Sequence, residues 1–87
     1  MRHVLVSSAD ASLAEGLRAA LPPDAVLFAA RGVDETLEQL ARAFRVDVVV
    51  TDDPSVVAAI REEIPGDIPV VLAPPGASPA TLVRLLP

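Results

Sequence analysis

The sequence predicts an α/β fold: a three-layer α/β/α sandwich around a four-stranded, all-parallel sheet with strand order 2-1-3-4. Three observations predict it. Short β-branched runs alternate strictly with amphipathic stretches, giving β-α-β-α-β-α-β-α. The runs are almost continuously apolar, which suits strands covered on both faces, as parallel strands are. A helix-length segment follows each run, and right-handed crossovers then leave few topologies.

The first strand is expected from His3 to Ser7, on Val4-Leu5-Val6. Asp10 is a good N-cap for the helix that follows, with Ser12 and Glu15 offering an alternative capping box. Leu13, Leu17, Ala20 and Leu21 recur at helical spacing and form its apolar face. Pro22-Pro23 ends it. Ala25 to Ala30 reads as the second strand and Gly32 as the turn after it. Asp34 is placed to cap a second helix carrying Leu37, Leu40, Ala41 and Phe44. Arg45 to Thr51, with four valines, is the strongest strand. Asp53-Pro54 starts a third helix, an N-cap followed by proline at the first helical position, and Val57, Ile60 and Ile64 form its stripe. Pro65-Gly66-Asp67 reads as a turn and Ile68 to Ala73 as the fourth strand. Pro74-Pro75-Gly76 breaks that strand, and Ser78-Pro79 opens a last short helix with Leu82, Leu85 and Leu86. Together these form one flavodoxin-like domain over residues 1–87.

Composition narrows the function. The chain has 87 residues, no cysteine and a net charge of −5, with arginine as its only strong cation. A disulfide scaffold, a thiolate metal site and a cysteine nucleophile are excluded. An acidic chain without tyrosine or tryptophan lacks the cations and stacking platforms of a nucleic-acid interface. No apolar stretch approaches the ~20 residues of a spanning helix, and Val4-Leu5-Val6 is too short for a secretory core. The expectation is a cytoplasmic protein with no membrane contact. His3 is the single histidine, so Ser55 and Ser78 have no plausible triad and no histidine pair can hold a metal. No phosphate-cradling glycine motif occurs, and no enzyme activity is expected.

In parallel sheets of this order, ligands gather at the carboxyl ends of the strands, at the switch point between the first and third. That position gathers Ser7, Ser8, Asp10, Asp53 and Pro74 around Asp52. Asp10, Asp52 and Asp53 are the only candidate metal ligands there, and each has a simpler role as a helix cap or solvated strand end. Ser7 and Ser8 precede a helix N-terminus, where an anion or small molecule can bind.

Val4-Leu5-Val6, Ala9-Asp10 and the helix from Leu13 to Leu21 resemble the start of a response-regulator receiver domain. Val46-Asp47-Val48-Val49-Val50-Thr51-Asp52 is similar to that family's third strand, and Asp67-Ile68-Pro69-Val70-Val71-Leu72 to its fourth. The resemblance implies bacterial two-component signalling, with Asp52 at the phosphoacceptor position and magnesium as cofactor should Asp52 be phosphorylated. It also marks departures. Ser8 and Ala9 stand where the family has its acidic pair. Ala73 and Pro74 stand where it has a hydroxyl residue. The lysine, the fifth strand and the fifth helix have no counterpart. Phosphoryl transfer to a carboxylate needs neutralisation of developing negative charge, and these departures remove the groups that supply it. The resemblance therefore implies a truncated pseudo-receiver that works by protein contacts. A working phosphoacceptor at Asp52 and an anion- or small-molecule-binding regulatory domain are the alternatives.

A four-stranded sheet leaves its fourth strand at an edge, a hazard when it is apolar. Ile68, Val70 and Leu72 of that strand, with Leu82, Leu85 and Leu86 of the last helix, form the expected partner face. Its occupant is expected to be a second copy of the chain or a further domain of a longer parent.

Overall fold

The structure is a computed structural model that describes residues 2–42, 45–64, 66, 68–74 and 76–86. Its elements run β1 (His3–Ser7), α1 (Ala11–Ala20), β2 (Val26–Ala30), α2 (Gly32–Arg42), β3 (Val48–Thr51), α3 (Pro54–Glu63), β4 (Val70–Leu72) and α4 (Pro79–Leu85). The strands form one all-parallel sheet in the order β2-β1-β3-β4. This is the flavodoxin-like α/β arrangement that the alternating pattern predicts.

Period-two alternation along each strand divides the core into two layers. Val4, Val6, Val48 and Val50 point to one face, where Leu17 of α1 and Leu82 of α4 complete a cluster with Ala73. Leu5 and Val49 point to the other, against Ala30 and against Val56 and Ile60 of α3. Thus α1 and α4 cover one face, and α2 and α3 the other. The two central strands are buried from Val4 to Ser7 and from Val48 to Thr51.

Local chemistry sets the element ends. Asp10 caps α1 by accepting from the Ser12 N–H at 2.9 Å, and Asp53 caps α3 through Ser55 N–H at the same distance. Ser78 caps α4 by accepting from Thr81 N–H. Gly32 turns the chain into α2 with φ +81°, a conformation that costs other residues the clash of a Cβ. Glu38 and Arg42 pair at 2.8 Å across one turn of α2, as their spacing predicts.

Several expectations are corrected. Asp34 does not cap α2, because the helix starts at Gly32 and places Asp34 in its first turn, where a carboxylate suits the helix dipole. Val56, not Val57, joins Ile60 as the buried stripe of α3. Ala20 is exposed, since Leu17 and the partly buried Leu13 and Ala14 suffice to seat α1. The fourth strand spans three residues rather than the run from Ile68 to Ala73. Leu82 is fully buried against the domain's own core and so is unavailable to a partner. Leu86 is partly buried on the same cluster, whereas Leu85 and Leu72 are exposed. The expectations for Phe44, Pro65, Asp67 and Pro75 lie outside the described residues.

Candidate functional site

The carboxyl ends of β1 and β3 meet at the switch point, and the loops leaving them carry the predicted residues. Ser8 is the hinge of this region. Its hydroxyl donates to Asp52 Oδ2 at 2.9 Å and accepts from the Asp10 backbone N–H at 3.0 Å. One side chain, almost fully buried, therefore ties the β1–α1 loop to the β3–α3 loop. The Ser8 backbone N–H donates to Ala30 O and anchors the same loop to the end of β2.

Ser7 plays a different part from the one its position suggests. It is the last residue of β1 and is fully buried on the α2 face. Its Oγ lies 2.6 Å from Thr36 Oγ1, and the Thr36 hydroxyl donates to Gly32 O at 2.6 Å. With that donation made, Ser7 is the donor to Thr36. A buried hydroxyl must find partners, and this pair satisfies itself while pinning α2 to β1. Ser7 is thus committed to the fold and faces no ligand space.

The three aspartates do not converge. Asp10 and Asp53 each spend one carboxylate oxygen on a helix cap. The Ser12 backbone N–H, followed by its side chain, holds Asp10 below the usual carboxylate range. Asp52 is exposed and held by Ser8. Among the described residues no three acidic or histidine side chains are grouped to hold a metal ion. Magnesium requires several oxygens in near-octahedral geometry. The donor set implied by the receiver resemblance does not fit it here, because the flanking carboxylates cap helices and a serine occupies the ligand position. Pro74 is exposed after β4 and brings no hydroxyl or N–H to the site. No family model, curated protein or solved structure matches the chain.

Beside Ser8, a cleft of about 450 Å³ lies between α1 and the end of β2. Arg18 and Arg31 line it, but so do Asp10, Glu15 and Glu35, and the mixture gives no net attraction for an anion. Arg31 spends one guanidinium N–H on Ala9 O at 3.1 Å, bracing the β1–α1 loop. Thr36 and Arg31 escape a motif search. Thr36 had a signal, since it shares the inward helical face with Val33 and Leu40.

A second polar cluster forms at the opposite end of the sheet. The His3 backbone N–H donates to Asp47 Oδ2 at 2.8 Å, and Arg45 Nε donates to Asp47 Oδ1 at 3.0 Å. The His3 hydrogen bond, with Arg45 adding to it, holds the Asp47 carboxyl below its usual range despite some burial. The His3 ring stacks on Phe28 of β2, while its Nδ1, 3.6 Å from Asp47, makes no hydrogen bond. His3 is half-buried and links β1 to Phe28 of β2 through its ring and to Asp47, just before β3, through its backbone N–H. No helix of the described residues is long and apolar enough to cross a membrane.

Proposed function

We propose that the chain is a non-catalytic, receiver-like regulatory domain of the cytoplasm that acts through protein contacts, self-association foremost. The observation that carries this reading is the state of Asp52. At the phosphoacceptor-equivalent position its carboxylate is bound by Ser8, and the neighbouring carboxylates of Asp10 and Asp53 serve as caps. The switch point is thus built as a structural tie between loops. The net charge of −5 argues against nucleic acid as partner.

One observation favours the phosphoacceptor alternative: Asp52 is solvent-exposed at the end of a central strand. Incubation with magnesium and beryllofluoride decides between them. The proposed reading expects no spectral change centred on Asp52. A perturbation by NMR that vanishes in Asp52→Asn overturns it. Light scattering tests self-association, and a monomer at every accessible concentration removes that part of the reading.

A further inference from the structure

We infer that two copies of the chain join edge to edge through β4, antiparallel, about a two-fold axis at Val71. The inference rests on the self-association reading above and gives it a geometry.

The backbone sets the register. Val49 N–H donates to Pro69 O at 2.9 Å, and Ala73 N–H donates to Thr51 O at 2.7 Å. Odd-numbered residues of this segment therefore turn their polar backbone toward β3. By strand alternation, Val70 and Leu72 turn theirs outward. The N–H that Pro69 lacks lies on the β3 side, so the proline does not blunt the outer edge. Pro74 has the outward parity, and its missing N–H limits a ladder there.

Two outward residues spaced two apart are self-complementary. With the axis at Val71, Val70 faces Leu72 of the second copy, and Leu72 faces its Val70. Each pair exchanges N–H and C=O, and the four open groups on each edge are satisfied. Such a contact is isologous and closed, so it ends at the dimer.

The side chains agree with that register. Leu72 is 46 % exposed and lies on the α3 face with Val70. Beside Val70, a groove of about 240 Å³ opens between β4 and the end of α3, lined by Ile60, Ile68 and Pro69 among others. The pairing sets Leu72 of the second copy next to Val70 on that same face, at the groove's mouth. Each copy thus presents both the knob and the hollow.

Charge and chain direction also single out this edge. Copies carrying −5 each repel, and residues 68 to 74 contain no charge. The other edge, β2, is uncharged from 25 to 30 as well, but the cleft at its end is rimmed by Asp10, Glu15, Arg18, Arg31 and Glu35. Among the described residues, Arg61 is the one charged residue lining the groove beside β4. A fifth parallel strand reaching β4's edge through α4 is disfavoured, because α4 lies on the α1 face. Since α2 and α3 make their right-handed crossovers on the opposite face, that connection would be left-handed.

Cysteine placement tests the geometry cleanly, because the chain has none of its own. Residue 71 meets its own copy at a non-hydrogen-bonded pair, with Cα atoms about 4.5 Å apart, within disulfide reach. Mild oxidation of Val71→Cys is expected to give a covalent dimer, whereas Leu72→Cys and Phe28→Cys stay uncrosslinked. Leu72→Asp is expected to weaken the dimer about tenfold or more, with an unchanged circular dichroism spectrum. It decides the matter should Val71→Cys disturb folding. A dimer by light scattering that cross-links through Phe28→Cys, fails to cross-link through a folded Val71→Cys, or ignores Leu72→Asp overturns this geometry and leaves self-association standing. A monomer at all concentrations overturns both.

Discussion

Gly16 of α1 faces the ring of Pro79 of α4 so closely that a Cβ on Gly16 would stand 2.7 Å from Pro79 Cγ. A Cβ at that distance cannot be accommodated unless one of the two helices covering this face shifts, so glycine is favoured here in mid-helix. Gly16→Ala improves the intrinsic helix propensity of α1 by up to about 1 kcal/mol. Overpacking typically costs about 1–3 kcal/mol. The ring is stiff, so the clash is expected to prevail and leave a net loss near 1 kcal/mol in urea unfolding. Adding Pro79→Ala should return most of that loss, and a double-mutant cycle measures the coupling.

The Ser7–Thr36 pair gives a second test. Thr36→Val keeps the shape of α2 but leaves the buried Ser7 hydroxyl without its acceptor, at a cost of about 1–3 kcal/mol. Removing both hydroxyls, in Ser7→Ala with Thr36→Val, should cost less than Thr36→Val alone. A double variant that is less stable than the single one by a full further increment contradicts this account.

Ser8 predicts an effect confined to loops. Ser8→Ala removes an acceptor for Asp10 N–H and a donor to Asp52. The expected loss is about 1 kcal/mol. Amide resonances should shift at both Asp10 and Asp52, while those of β2 and α4 stay in place. Shifts at only one loop would mean that the hydroxyl does not bridge the two.

Acid should weaken the fold through Asp47 and Asp10. Both carboxyls sit below their ordinary value when folded, chiefly through the backbone N–H groups of His3 and Ser12. The unfolded chain therefore binds protons first as the pH falls. The stabilisation is full above the ordinary carboxylate value of about 4 and is lost as the pH drops through the folded values. Urea midpoints should fall in that window, and Asp47→Asn should flatten the fall.

Much of this architecture was legible because it is written in period. Four short apolar runs and four amphipathic segments announce their order, and crossover handedness does the rest. Asp10, Asp53 and Ser78 were readable as caps because their oxygens act on residues two or three positions ahead. What the sequence hid depends on distant partners. Ser7 looks like a switch-point ligand until Thr36, far along the chain, is packed against it. Ser8 looks like an anion ligand until its hydroxyl is found committed to Asp52 in the β3–α3 loop. The place of α4 was hidden for the same reason. Leu82 reads equally as core or as partner face, and only its contact with the α1 layer decides.

The flanking of β1 and β3 by other strands, with helices on both faces, has a dynamic consequence. Their side chains supply both apolar clusters, so neither layer can dissolve without loosening the strands that anchor the other. Amide hydrogens in Val4 to Val6 and Val48 to Val50 should exchange with solvent only through global opening. Those on the outward edge of β4 and in the short α4 should exchange through smaller, local openings. The domain is thus cooperative at its centre and loosest around the strand edge to which we assign the second copy.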